Sequence, residues 1–326
     1  MKTIKINYCD FWGSFNKEDN LFSNILKKHF IVEISDKPDF LICSNRFGGG
    51  IPFACADTDC VRIQYMGENV SPDFTLFDYV IGFDFLEFGD RYFRLPHAFF
   101  FNDGHPWIPE SLTREGAERI LQNKTYFCNF IYHHQSAHGI RELLFKRLNE
   151  YKPVVSPGNL FNNVGSKTGI GWKEKFEYLR LSKFTIACDS INYPGFVTEK
   201  IIQPFQSHSI PIYFGSSRIA DDFNPLSFIE CHDERDIDSC IQRIIELDNN
   251  DEKYLQMLME CPLYGQDYLS KKYTELEQFL VNIFNQEPHA AQRRIKHFCA
   301  DTITHSMKRY NHMMKKIPSS IRRFIK

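Results

Sequence analysis

FTIACDSINYPGFVTEKIIQPFQSHSIPIYFGSSRIADDFNPLSFIECHD, residues 184–233, holds the densest run of structural signals in the chain. It opens with a short apolar run, Phe184 to Cys188, bounded by turn formers, which suits a buried strand of a parallel sheet. A loop containing Asp189, Ser190, Asn192, Pro194 and Gly195 follows, a composition no regular element tolerates. Thr198 then has the character of an N-cap, with Glu199 and Lys200 in the first turn of a helix through about Ser207. Ile210 to Phe214 is a second buried strand, ended by Gly215, Ser216 and Ser217. Strand, loop, helix and strand make a βαβ unit, with polar residues gathered where a strand end meets a helix N-terminus.

Ligands of open α/β sheets bind at the carboxyl ends of strands. A helix N-terminus there offers unpaired N–H groups and a positive dipole end, which suit a phosphate. Glu199 supplies an acceptor for sugar hydroxyls and Lys200 a cation for a phosphate oxygen. Taken alone, the Thr198-Glu199-Lys200 triplet is an ordinary charged first turn, common on protein surfaces.

The same organisation recurs upstream. Lys2 to Tyr8, His29 to Ile34 and Asp39 to Cys43 read as strands, with a helix from about Lys17 to Lys28 between the first two and glycines 48 to 50 ending the unit. Arg62 to Met66 is the next strand, and Gly67-Glu68-Asn69 lies at its carboxyl end, where such sheets present catalytic groups. Glu68 on this evidence reads first as a helix-capping or turn carboxylate, since carboxylates at strand ends are ordinary loop residues. Beyond it, Asp78, Asp84, Glu87, Asp90, Arg91 and Arg94 read as paired surface or interdomain charges of little individual worth. Asp57-Thr58-Asp59 spells D-x-D but reads as a surface turn.

Pro96 to Leu112 is irregular chain, Thr113 to Gln122 a short helix, and Tyr126 to Tyr132 the first strand of a second domain. The loop at its end holds His133 and His134, and a helix runs from Gly139 to Tyr151 with Arg141 in its first turn. Two adjacent histidines seldom point at one ion, and no third ligand is evident. Pro153 to Pro157 is a strand entering a Gly/Asn-rich loop that lacks a Walker sequence. Trp172 to Leu181, Asp236 to Leu247 and Asp251 to Glu260 are helices.

At 326 residues the chain has room for two domains, and 43% hydrophobic residues with 31 Phe can fill their cores. A net charge of −2 argues against a nucleic-acid-binding protein. The ten cysteines show no CxxC pair, so reduced core thiols are expected rather than disulfides or zinc. The N-terminus lacks the pattern of a signal peptide, and no run of about 18 apolar residues offers a membrane span.

Two blocks, Gly67-Glu68-Asn69 with its sequel to Pro96 and the stretch at 184–233, resemble the α-1,3-fucosyltransferase family, most of all its bacterial members. The resemblance spans roughly Tyr65 to Cys261 and includes the family's Y-V/I-T-E-K motif. It implies two Rossmann-like doubly wound domains (glycosyltransferase type B architecture) and transfer of fucose from GDP-β-L-fucose with inversion. It implies that Glu68 is the general base, that Arg141 binds donor phosphate, and that Asp189, Ser190, Phe196, Glu199 and Lys200 complete the donor site. No cofactor is implied, GDP-fucose being a substrate, and no metal, since cationic side chains hold the diphosphate. The acceptor it implies is O3 of GlcNAc in an N-acetyllactosamine-type oligosaccharide. The chain departs from the pattern in three places. The family's E-N-S/T is Asp189-Ser190-Ile191, its Tyr before V-T-E-K is Phe196, and His133-His134 replaces Ser-Asn.

The expected domains are residues 1–118, carrying the base, 119–290, binding the donor, and a basic helical tail at 291–326. The tail holds ten Lys/Arg against Asp301 alone, with Ile295, Phe298, Ile303, Met307, Tyr310, Met314 and Ile317 at helical intervals. Such a basic amphipathic helix fits an anionic membrane surface; packing on the acidic body, or disorder, is the alternative. The expected location is the cytoplasm, peripheral at the inner face of a bacterial plasma membrane. Two other functions share these signals: a transferase of the same fold using another nucleotide sugar, and a non-catalytic glycan-binding descendant.

Overall fold

The computed structural model describes residues 1–44, 54–100, 111–136, 138–165, 172–265, 267–294 and 298–318. The chain divides into two compact units, one formed by Met1–Leu95 with Ser270–Lys326 and the other by Pro96–Leu269. Both are α/β units built on parallel sheets. The boundaries differ from those expected at 118 and 290. The glycines at 48–50, the second half of the Gly/Asn-rich loop (166–171) and much of the irregular segment (101–110) lie outside the described residues.

The first unit is a six-stranded sheet of β1 (Thr3–Cys9), β2 (Ile31–Ile34), β3 (Phe40–Cys43), β4 (Val61–Tyr65), β5 (Tyr79–Gly82) and β6 (Tyr92–Arg94), in the order β2-β1-β3-β4-β5-β6. Every pairing is parallel, so the central strands are buried on both faces; β3, β4 and β5 are buried along their whole lengths. Helix α1 (Leu21–Leu26) starts at Asn20, whose side chain accepts from the Phe22 and Ser23 amides.

Helix α2 (Arg114–Gln122), expected over Thr113 to Gln122, is capped by the Thr113 hydroxyl, which accepts from the Gly116 amide. In the second unit β7 (Tyr126–Asn129), α3 (Ile140–Tyr151), β8 (Val154–Val155), α4 (Trp172–Leu181), β9 (Ser182–Cys188), α5 (Glu199–Gln206), β10 (Ile210–Phe214), β11 (Ile229–Glu230), α6 (Ile237–Asp248) and α7 (Asp251–Met259) follow in order. Their sheet, β11-β10-β9-β7-β8, is again wholly parallel. One face is an apolar core in which Cys128, Phe130, Phe184, Ile186, Ile210 and Ile212 meet Leu144 of α3 and Ile241 and Ile244 of α6.

Helix α8 (Tyr268–Phe284) explains the shifted boundary. Its Phe279 packs on Tyr79 and Phe93, and its Phe284 lies 4.5 Å, centroid to centroid, from Phe40 of β3. Those rings commit the end of the chain to the first unit. After α9 (Pro288–Ala291), the Arg293 and Arg294 amides each donate to Asp78 Oδ1 at 2.8 Å, and Arg62 N donates to Oδ2 at 2.7 Å. Asp78 is therefore fully buried and multiply bonded, a correction to its reading as a minor surface charge.

The tail helix α10 (Phe298–Lys315) docks on the segment that carries Asp57, whose carboxylate receives Asn311 Nδ2 at 3.1 Å and Lys315 Nζ at 2.8 Å. Asn311 and Met314 are buried, with Thr304, Met307 and Tyr310 half-buried on the same face, while Lys308, Arg309 and Lys316 are exposed. Of the expected stripe, Met314 is buried and Met307, Tyr310 and Ile317 are half-buried, while Ile303 is exposed. Ile295, the Phe298 side chain and the cations at 322, 323 and 326 lie outside the described residues.

A second correction concerns the cysteines. Cys231, just after β11, and Cys240 of α6 are joined in a disulfide, their Cα atoms 6.0 Å apart. The strand end and the helix pack together, which brings two thiols nine residues apart within bonding reach.

Candidate active site

The site is organised by the turn between β9 and α5. Thr198 caps α5 by accepting from the Lys200 amide, and its hydroxyl donates to Asp189 Oδ1. Asp189 Oδ2 accepts from Tyr213 Oη at 2.9 Å, and Tyr213 Oη in turn accepts from the Ser216 amide. Gly215 permits this arrangement, since a Cβ there would sit 2.3 Å from Tyr213 Oη and 2.9 Å from Asp189 Oδ2. Asp189 is only 1% exposed, so burial pushes its carboxyl up to about 6, although Lys200, Thr198 and Tyr213 all favour the anion. Its oxygens hold the helix start in place. Phe196 is equally buried, while Ser190 is exposed in the loop.

Lys200 Nζ lies 3.3 Å from Glu199 Oε1 and donates to Thr198 Oγ1 at the same distance. Burial raises the cost of ionising Glu199, yet the Lys200 and Lys175 charges outweigh it and hold the carboxyl down to about 2. Burial likewise opposes the Lys200 charge, and Glu199 and Asp189 overcome it, lifting the ammonium above its ordinary value. Both groups are therefore ionised at neutral pH. Buried His97, pushed down to about 4 by desolvation, is a neutral neighbour there.

Arg141 enters from the first turn of α3. Its guanidinium lies 4.0 Å above the Tyr132 ring and donates to the His134 carbonyl at 3.1 Å. Tyr132 Oη accepts from the Cys188 amide at 2.7 Å, tying this loop to the end of β9. Arg141 is 6% exposed and its Nε has no hydrogen-bond partner among the described residues. Arg141, Glu199 and Lys200 thus share one cleft of about 250 Å³, with His133, His134 and Lys175 also on its wall. Two cations and a carboxylate converging beside the starts of α3 and α5 can bind a diphosphate and a vicinal diol.

Glu68 belongs to the first unit. It stands exposed three residues beyond β4, in a turn where the Val70 amide donates to its carbonyl at 2.8 Å. His97, Lys175 and Tyr213 escaped sequence reasoning. Only Tyr213, a lone phenol in the apolar run Ile210 to Phe214, left a local signal. Among the described residues no group of three His, Cys, Asp or Glu side chains is placed to hold a metal ion, and no helix is long and apolar enough to cross a membrane.

Residues 6–101 match the α-(1,3)-fucosyltransferase FucT N-terminal domain, and residues 121–260 match the glycosyltransferase family 10 (fucosyltransferase) C-terminal region. The chain belongs to the fucosyltransferase family. An α-(1,3)-fucosyltransferase, FucT, of Helicobacter pylori is 30% identical over 311 residues, covering 84% of this chain and 63% of that protein. The chain therefore spans under two thirds of that curated relative. Two solved α1,3-fucosyltransferase structures share the fold of this family member at 28% identity. The one with GDP covers 88% of this chain and 91% of its own (TM-score 0.68); the one with GDP-fucose covers 86% and 90% (TM-score 0.66).

Proposed function

We propose that this chain transfers L-fucose from GDP-β-L-fucose, with inversion, to O3 of GlcNAc in N-acetyllactosamine-type acceptors. The observation that carries this is the gathering of Arg141, Lys200 and Glu199 in one cleft, in a chain whose solved relatives include structures with GDP and with GDP-fucose. Glu68 takes the proton of the acceptor hydroxyl as its oxygen attacks the anomeric carbon, a contribution of about 10²–10⁴ in rate. The bond from that carbon to the diphosphate breaks, and Arg141, Lys200 and the amide end of α5 take up the charge on departing GDP. Glu199 holds ribose or fucose hydroxyls, and Asp189 and Phe196 keep the α5 start in place for Lys200. Ser190 borders the donor from the loop. Because side chains supply the positive charge, no added metal is needed, and turnover persists in EDTA. The proposal extends to location: the exposed cations Lys308, Arg309 and Lys316 at the tail helix support an affinity for an anionic membrane surface, the inner face of a bacterial plasma membrane.

Incubation with GDP-fucose and a small acceptor panel, followed by product mapping, tests the donor, linkage and anomeric outcome together. Glu68→Gln should abolish transfer and leave GDP affinity nearly intact. An equal loss of both removes Glu68 from the role of base.

A further inference from the structure

Arg141 is a buried cation, and among the described residues no carboxylate pairs with it. Its sequence neighbour Glu142 spends one oxygen on the Ser136 amide and the other on the Ser136 hydroxyl, both at 2.6 Å. A desolvated charge without a counter-ion is costly, so other groups must hold this one. Two do: the His134 carbonyl, which accepts from Nη1 at 3.1 Å, and the Tyr132 ring, whose centroid lies 4.0 Å from the guanidinium carbon. Tyr132 is itself fixed from several sides. Its hydroxyl accepts from the Cys188 amide at 2.7 Å and donates to the Ile186 carbonyl at 2.9 Å, which ties the phenol to the end of β9. Burial raises the phenol well above its ordinary value, so it stays a donor. Its carbonyl accepts from the Leu160 amide at 2.9 Å, and a Cβ at Gly158 would collide with that oxygen. The Phe130 ring packs 4.8 Å away, centroid to centroid.

We infer that Tyr132 is a positioning residue for the donor diphosphate, its ring holding the Arg141 guanidinium at the cleft without neutralising it. This rests on the proposed function above. A carboxylate in the place of the ring would also hold the guanidinium, but it would cancel the charge and compete with phosphate for the same N–H groups. An aromatic face attracts the cation through its quadrupole and leaves the formal charge for an incoming anion. Guanidinium suits this arrangement because it is planar, permanently charged and stacks on rings while its edge stays available to an oxyanion. A side chain already held in place needs little further ordering when the donor arrives. It is also set before negative charge develops on departing GDP, which is the condition for electrostatic stabilisation to cost no reorganisation. In this role Tyr132 acts through Arg141.

The test is a double-mutant cycle. GDP affinity is measured by calorimetry for wild type, Tyr132→Leu, Arg141→Ala and the double variant, with melting temperature as a folding control. Tyr132→Leu should weaken GDP binding roughly two- to 30-fold in the wild-type background and cost nothing further once Arg141 is alanine. Unchanged affinity in Tyr132→Leu, or an equal loss in both backgrounds, overturns the inference, since a merely structural ring would act with or without Arg141. If Tyr132→Leu does not fold, Tyr132→Phe is compared with a trifluorinated phenylalanine at the same position. Fluorine keeps the ring's shape and strips negative charge from its face, so the fluorinated protein should bind GDP more weakly than Tyr132→Phe. Equal affinity of those two overturns the inference as well. A wild-type protein that does not bind GDP, or an Arg141→Ala variant that binds it unchanged, strikes instead at the proposed function.

Discussion

Replacing Asp189 by asparagine should change how stability depends on pH, in a direction and amount that the structure dictates. The Asp189 carboxyl is buried, and desolvation raises it from an ordinary 3.8 to about 6. A carboxyl raised on folding binds its proton more tightly in the native state. Its favourable contribution is complete below pH ~4 and is lost as pH rises through 6. The shift of about two units corresponds to about 3 kcal/mol of stability lost across that window. The replacement amide cannot titrate, while its oxygen can still accept from Thr198 or Tyr213. The wild-type minus Asp189→Asn difference in unfolding free energy, measured by urea titration from pH 4 to 7.5, should therefore fall by about 3 kcal/mol with its midpoint near pH 5. A difference flat in pH would mean that the folded Asp189 carboxyl keeps its ordinary value, and would refute desolvation as the dominant influence on it.

Lys200→Ala should weaken GDP binding by ~1.5–3 kcal/mol, roughly 10- to 150-fold, by calorimetry, since a charge-assisted bond to phosphate is lost; an unchanged dissociation constant rejects the phosphate role. Asp78→Ala should destabilise the first unit by ~3–5 kcal/mol, because three backbone amides and Arg294 lose their acceptor together. A loss under ~1 kcal/mol in urea unfolding would show that the buried hub is dispensable. For the tail, each exposed cation near an anionic surface is worth ~1 kcal/mol at low salt, while Met314 of the apolar stripe is buried and Met307 and Tyr310 are half-buried. Full-length protein should therefore sediment with phosphatidylglycerol vesicles at low salt and be released at high salt, and Lys308→Glu with Arg309→Glu should reduce sedimentation. Protein that stays in the supernatant at low salt is not membrane-directed through α10.

What the sequence by itself determined is local. Apolar runs such as Ile210 to Phe214 became strands because a buried parallel strand needs only a short continuous hydrophobic segment, and Thr198 became an N-cap because its hydroxyl meets an amide two residues away. The family motifs located Glu68, Arg141, Glu199 and Lys200, and the fold drew the last three into one cleft. Contacts between distant residues decided the rest. Tyr79–Gly82 and Tyr92–Arg94 complete the sheet by pairing with β4 and β5, although the acids and arginines around them dominate the local reading of the block. α8 went unnoticed because the worth of Phe279 and Phe284 lies in rings far away along the chain, Tyr79 and Phe40 among them. Asp78 and Asp189 are ordinary acids in the sequence. Their character depends on burial, and on partners such as Arg293 and Tyr213 that only the folded chain supplies, since local sequence sets backbone preference but desolvation and ion pairing belong to the tertiary structure.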